Sequence, residues 1–120
     1  MNIAIVGATG NVGRKTLEVL EKKKLSIENL YLVASSKSAG KKISFKDKEH
    51  EVFDLENFDF SKVKIAFFAA GGKISEKFAE KAAKHCLVID NSSFYRMDPD
   101  VPLIVPQVNS NHLDQIKKNI

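Results

Sequence analysis

Apolar positions in this chain fall into short uninterrupted runs separated by stretches of helical period. Ile3 to Val6 is a β-branched run that stops at Gly7, the pattern of a strand buried on both faces. From Asn11 the period becomes helical, with Val12, Leu17, Val19 and Leu20 inward and Arg14, Lys15, Glu18 and Glu21 outward. Leu30 to Ala34 repeats the buried-strand pattern. Between Lys41 and Leu55, Phe45, Val52 and Phe53 predict short strands or a hairpin around the charged turn Lys46-Asp47-Lys48-Glu49. Lys64 to Ala69 is a further strand, punctuated by Gly71 and Gly72. A helix follows with Ile74, Phe78, Ala79, Ala82 and Ala83 on one face, and Leu87 to Asp90 is the next strand. Pro99 and Pro102 mark an irregular crossing. Leu103 to Val105 reads as a short strand, and Asn111 can cap a last helix carrying Leu113 and Ile116.

Alternating strands and helices, with strands apolar throughout, predict a doubly wound, mostly parallel α/β sheet covered on both faces. Ligands of such sheets bind outside the carboxyl ends of the strands. That rule singles out Gly7 to Gly13, Ser35 to Gly40, Ala70 to Lys73 and Asn91 to Arg96.

Composition narrows the classes. At 120 residues and 43% apolar the chain fits one domain with a single core, and no repeat or linker divides it. It holds no run of about 18 apolar residues, so no membrane span is expected, and Ile3 to Val6 is too short for a secretory leader. One cysteine, Cys86, excludes an intramolecular disulfide and suits a reducing cytoplasm. The net charge of +4 is almost all lysine, with Arg14 and Arg96 the only arginines. Lys22, Lys23 and Lys24 fall on solvent faces, and no aromatics interleave with the lysines as nucleic-acid stacking would need. A solubilising surface is the better reading.

The glycines at 7, 10 and 13 have distinct physical uses. Gly7 permits a sharp turn after the strand, Gly10 leaves no side chain between a helix N-terminus and a pyrophosphate, and Gly13 allows close helix–strand packing. The N–H groups of Thr9, Gly10, Asn11 and Val12 would then face the anion, helped by the helix dipole. The rival reading is a plain tight turn. The flanking strand and helix favour nucleotide binding.

After the second strand, where an NAD-specific domain places a carboxylate for the ribose 2′-hydroxyl, this chain has Ser35, Ser36, Lys37 and Ser38, with Lys41 and Lys42 behind. Hydroxyls and a point charge suit a 2′-phosphate, hence NADP. The small residues Ala69, Ala70, Gly71 and Gly72 allow either close ligand approach or a tight turn. In Asn91 to Asp98, Arg96 could pair with Asp98 or Asp100, or clamp a substrate anion with its planar fork. Cys86 reads as a small hydrophobe rather than a nucleophile. His50, His85 and His112 lack metal-site spacing, so no metal and no catalytic residue are assigned.

The segments IAIVGATGNVG, LVASSKSAGKK, FFAAGGKISEKFAEKAA and VIDNSSFYRMDPDVPLIVPQVN occur here in one order. Together they resemble the N-terminal part of the aspartate-semialdehyde dehydrogenase family over essentially the whole chain, and the last segment is the most specific. The resemblance implies a Rossmann-like NADP-binding domain spanning residues 1–120. It also implies a full-length cytoplasmic enzyme, a homodimer or homotetramer, that reduces 4-aspartyl phosphate to aspartate 4-semialdehyde with release of phosphate. This step feeds lysine, threonine and methionine synthesis. Carried over residue by residue, the resemblance puts Thr9 to Val12 at the pyrophosphate, Lys37 and Ser38 at the 2′-phosphate and Arg96 on the substrate phosphate.

This chain departs from the family at three positions. Lys37 stands where many members have Arg, Lys73 where a small hydroxyl residue is frequent, and Gln107 where Glu is frequent. The family's Asn-Cys-Thr or Asn-Cys-Ser nucleophile motif does not occur in these residues, and neither does its catalytic and dimer-forming domain. The expectation is therefore a domain that holds cofactor without catalysing. N-acetyl-glutamyl-phosphate reductase, which shares such a glycine loop and reaction type, is the nearest enzyme alternative. A standalone non-catalytic nucleotide-binding module is the alternative from another class.

Overall fold

The computed structural model describes residues 1–23, 25–102, 104 and 116–120. The apolar runs become β1 (Asn2–Val6), β2 (Asn29–Ala34), β5 (Ile65–Phe68) and β6 (Leu87–Asp90), and the helical patterns become α1 (Asn11–Lys22) and α2 (Gly72–Ala83). Between β2 and β5 lie β3 (Lys42–Phe45) and β4 (Lys48–Asp54). All six strands join one sheet in the order β3-β4-β2-β1-β5-β6, parallel except for the antiparallel β3–β4 edge. The sheet is doubly wound and mostly parallel, as the alternation predicted.

Why β1 is apolar without a break from Ile3 to Val6 follows from its central place in the sheet. In β1, Ile3 and Ile5 pack on the α1 side with Leu17, Leu20 and Leu32, while Ala4 and Val6 pack on the α2 side with Phe78, Ala79 and Ala82. Both faces are thus removed from water, each buried aliphatic side chain contributing about 1.5–3 kcal/mol. β1 pairs with β2 on one side and β5 on the other, so strand order reverses at β1. The crevice for a ligand therefore lies at the carboxyl ends of β1 and β5.

Three details differ from the sequence expectation or lie outside it. The hairpin turn is only Lys46-Asp47, both at positive φ (49° and 64°), so Lys48 and Glu49 belong to β4. Two left-handed residues match the twist of the flanking strands, and the Lys46 N–H donates to Glu21 Oε1 at 2.7 Å. The crossing from β4 to β5, to which the sequence pattern assigns no element, uses two short 3-10 turns, Leu55–Asn57 and Phe60–Lys62. Phe58 and Phe60, with ring centroids 5.0 Å apart, supply the covering bulk there.

Val12 and Val19 are the third difference. Both are 45% exposed, because they face the β5–β6 half of the sheet across an open apolar groove that they line with Phe67 and Ile89. No helix of the described residues is long and apolar enough to cross a membrane. The strand expected at Leu103 to Val105 and the helix capped by Asn111 with Leu113 fall largely outside the described residues. Ile116 is not helical.

Candidate functional site

Each loop at the carboxyl edge takes its shape from its own residues. Gly7 leaves β1 at φ +88°, a conformation side chains resist, and its N–H donates to the Val33 carbonyl at 2.8 Å. A β-carbon there would lie 2.7 Å from the Ala69 carbonyl oxygen. On Gly13 it would lie 2.1 Å from the Gly7 carbonyl oxygen, so α1 rests directly on the turn. Packing alone explains these two glycines.

Gly10 is different. Its φ of −82° suits any residue, and the nearest atom to a β-carbon would be the Gly7 carbonyl oxygen at 3.5 Å. Nothing inside the domain requires glycine at this position. Its bareness keeps clear the space in front of α1, whose N-cap is Gly10 itself. No side chain caps that helix, and its first turn carries no acidic residue. The N–H groups of Asn11, Val12 and Gly13 lie in that first turn, which has no intrahelical acceptor to offer them. Such an end fits phosphate by hydrogen bonding and by dipole. The Arg14 side chain steadies the loop, Nε donating to the Thr9 carbonyl at 3.2 Å.

The loop after β2 comes to meet it. Ser38 and Ala39 donate their N–H groups to the Ser35 carbonyl at 2.9 and 3.1 Å, and Gly40 turns at φ +89° to bond the Val52 carbonyl. This tight coil leaves Ser35, Ser36 and Lys37 exposed and half-buries Ser38. Thr9 Oγ1 donates to Ser38 Oγ at 3.4 Å, a weak bond joining the two loops. No carboxylate lies between Ser35 and Lys42.

Beyond β5, Ala69 continues the sheet by donating to the Val6 carbonyl at 2.8 Å. Gly71 then turns at φ +89° into α2, which also lacks a side-chain cap. Ala70 and Gly71 thus lie next to the Gly7 turn, as the 2.9 Å approach of a Gly7 β-carbon to Ala70 Cβ requires. Gly7, Thr9, Gly10, Asn11, Val12, Ser35, Ser36, Lys37, Ser38, Ala70 and Gly71 all fall on three neighbouring loops of one sheet edge.

The fourth loop, after β6, carries Arg96 on an exposed turn. Among the described residues no carboxylate pairs with it. Asp98 instead binds Lys118 at 3.1 Å, and Asp100 lies 3.8 Å from Lys117. The Asp100 N–H, with Lys118 behind it, holds the Asp98 carboxyl below its usual range. Tyr95 turns inward and is buried, its ring edge-on to Phe94 at 4.7 Å.

Sequence reasoning missed Ser75 and the Asp90 carboxylate it bonds. Ser75 is fully buried on α2 and donates to Asp90 Oδ1 at 2.8 Å. The available signal was a hydroxyl in phase with the apolar face of Phe78, Ala79 and Ala82, facing a strand that ends in a carboxylate.

Cys86 lies before the first residue of β6, on the amino edge of the sheet opposite these loops. It is buried, Sγ donates to the Ala82 carbonyl at 3.3 Å, and burial pushes the thiol up to about 11. That environment suits packing rather than nucleophilic attack. No group of three or more metal-binding side chains occurs among the described residues. A hollow of 460 Å³ lies between the diverging amino ends of β2 and β4, lined by side chains of both charges including Glu28, Lys46, Lys48 and Glu49. It is on the wrong edge of the sheet for the loops above.

Comparison with known proteins bears on this edge. Residues 2–116 match the family model described as semialdehyde dehydrogenase, NAD binding domain. The chain is 49% identical over 122 residues to an aspartate-semialdehyde dehydrogenase of Legionella pneumophila, covering 100% of this chain and 35% of that protein. It is 50% identical over 118 residues to one of Aquifex aeolicus, covering 97% and 35%. Among solved structures it resembles aspartate semialdehyde dehydrogenase II of Vibrio cholerae complexed with ASA, with a TM-score of 0.92 and 46% identity over 95% of this chain and 38% of that one. It also resembles the Candida albicans enzyme with NADP, with a TM-score of 0.78 and 31% identity over 95% and 36%. The chain thus spans about a third of the length of the curated relatives it matches.

Proposed function

The chain belongs to the family described as the semialdehyde dehydrogenase NAD binding domain, and from that premise we propose that it is the NADP-holding part of an aspartate-semialdehyde dehydrogenase. The whole enzyme would make aspartate 4-semialdehyde from 4-aspartyl phosphate in the cytoplasm, as a homodimer or homotetramer. One observation carries the cofactor reading: Gly10 has room for a β-carbon within the protein and none is present, which leaves a cradle open before an uncapped helix. A dinucleotide pyrophosphate fits that cradle. The comparisons with aspartate-semialdehyde dehydrogenases favour this enzyme over the acetylglutamyl-phosphate reductase alternative.

Within this reading Asn11 and Val12 hold the pyrophosphate through backbone N–H groups, with Thr9 beside them. Contrary to the sequence expectation, the Gly10 N–H donates to the Gly7 carbonyl at 3.0 Å, and Gly10 contributes only its missing side chain. Ser35, Ser36, Lys37 and Ser38 take the ribose 2′-phosphate, where hydroxyls and a cation replace the carboxylate an NAD site would carry. Ala70 and Gly71 leave room for the cofactor to lie against the backbone. Arg96 binds the substrate phosphate with its planar fork. When bound, NADPH supplies the hydride; these residues bind and orient, and none of them is a nucleophile. The thiolate that would attack the acyl carbon, and the general acid and base, are assigned to the part of the enzyme outside residues 1–120.

Titration of this chain with NADP and NAD, followed by isothermal calorimetry, tests the first half of the proposal. NADP is expected to bind at least tenfold more tightly, and tighter NAD binding would overturn the 2′-phosphate assignment. The full-length polypeptide assayed for phosphate-dependent oxidation of aspartate semialdehyde tests the second half. A gene that stops after Ile120 would favour the standalone binding module instead.

A further inference from the structure

Ser75 is a polar side chain with no exposure in the middle of an apolar helix face, a placement that costs free energy unless its hydroxyl is bonded. It is bonded, and not in isolation. Asp90 Oδ1 accepts from Ser75 Oγ at 2.8 Å and from the Ser92 N–H at 2.8 Å, while Asp90 Oδ2 accepts from Ser92 Oγ at 3.0 Å. The two serine oxygens lie 3.2 Å apart, and Ser92 Oγ accepts in turn from the Phe94 N–H at 3.2 Å. One carboxylate at the end of β6 therefore ties the start of the Arg96 turn to the first turns of α2.

The far side of that turn is tied as well. Tyr95 is plugged into the α2-side core, and Asp98 is held by Lys118. Arg96 lies between these anchors with its own side chain exposed and its N–H bonded to the Ser93 carbonyl at 3.2 Å. A mere connection between elements would not need three anchors around an exposed arginine.

We propose that Ser75, Asp90 and Ser92 are positioning residues that fix the turn on which Arg96 meets a substrate phosphate. The inference rests on the assignment of Arg96 made above. The network itself does not touch the ligand. It acts by limiting the backbone positions from which the guanidinium reaches, so its removal weakens phosphate use and spares the pyrophosphate and 2′-phosphate contacts, which come from β1, α1 and the loop after β2. Ala70 and Gly71 offer the cofactor only backbone and small side chains.

The test uses the full-length dehydrogenase that carries this domain, with inorganic phosphate as the varied substrate in the oxidative direction. Ser75→Ala is expected to raise the KM for phosphate five- to tenfold, with the KM for NADP within twofold of the parent. Ser92→Ala is expected to do the same, and Ser92→Thr, which keeps the hydroxyl at a half-buried position, to return phosphate KM to within twofold. If Ser75→Ala does not fold, the Ser92 pair carries the test. Unchanged phosphate KM in Ser92→Ala while Arg96→Ala raises it overturns the positioning role alone. Parallel loss of both KM values without rescue by threonine also overturns it. Unchanged phosphate KM in Arg96→Ala overturns the Arg96 assignment and the proposal with it.

Discussion

Gly13 rests so closely on Gly7 that a β-carbon added to it would stand 2.1 Å from the Gly7 carbonyl oxygen. The partner at that contact is backbone, which cannot swing aside as a side-chain end would. Gly13→Ala must push α1 off the turn, and a loss of about 2–3 kcal/mol is expected from overpacking. Gly10→Ala meets its nearest neighbour at 3.5 Å and should cost no more than about 1 kcal/mol, the price of a poorer N-cap. Its methyl group would nevertheless stand in the phosphate cradle and weaken NADP at least tenfold. Urea unfolding and NADP titration of the two variants separate the effects. Parent-like NADP affinity in Gly10→Ala would remove the cradle from the argument.

Lys37 is exposed on the coil that Ser38 ties to Thr9. As an exposed cation in a segment without carboxylates, it should discriminate the two dinucleotides. Lys37→Glu is expected to weaken NADP at least tenfold and to leave NAD within threefold, because only the 2′-phosphate would meet the new charge. The difference should shrink as salt is raised, since the side chain lies in water. A parallel fall in both affinities would assign Lys37 to general loop structure.

Most of the fold could be read in the sequence because buried parallel strands write themselves as uninterrupted apolar runs. Ile3 to Val6, Leu30 to Ala34 and Leu87 to Asp90 were placed by that signal, within a residue of the observed strands. Val12 and Val19 were not: helical period identifies an apolar stripe, but whether all of it is covered depends on what packs beside the helix on the same face of the sheet. The 3-10 crossing was equally silent, since Phe58 and Phe60 carry no period of their own. In the site, glycines and loop positions were legible from local chemistry. Ser75 was hidden because its partner Asp90 lies 15 residues away and only the fold brings them together.

Arg96 has no carboxylate partner among the described residues, while the acids nearest in sequence, Asp98 and Asp100, are engaged by Lys118 and Lys117. Its guanidinium is therefore available to an anion. In the full-length enzyme Arg96→Ala should raise the KM for phosphate at least tenfold and leave the KM for NADP within twofold. Arg96→Lys should fall between, keeping charge and losing the two-pronged geometry. Equal losses for both substrates would mark the residue as structural.

Cys86 links stability to alkaline pH with a sign that its burial determines. The folded thiol is pushed up to about 11 from an ordinary value of 9.0, and the cause is desolvation. Below pH 9 the thiol is protonated in both states and contributes no pH dependence. Between about pH 9 and 11 the unfolded chain releases its proton while the folded chain retains it, so unfolding is favoured as pH rises. The lysines titrate in the same range, and comparison with Cys86→Ala isolates the thiol. The stability advantage of the parent over Cys86→Ala, measured by urea unfolding, is expected to be constant from pH 7 to 8.5 and to shrink steadily from pH 9 to 10.5. The folded thiol should also react with a maleimide far more slowly than the unfolded one at pH 8. Parallel stability curves across the whole range would mean that Cys86 ionises as readily in the folded chain as in the unfolded one.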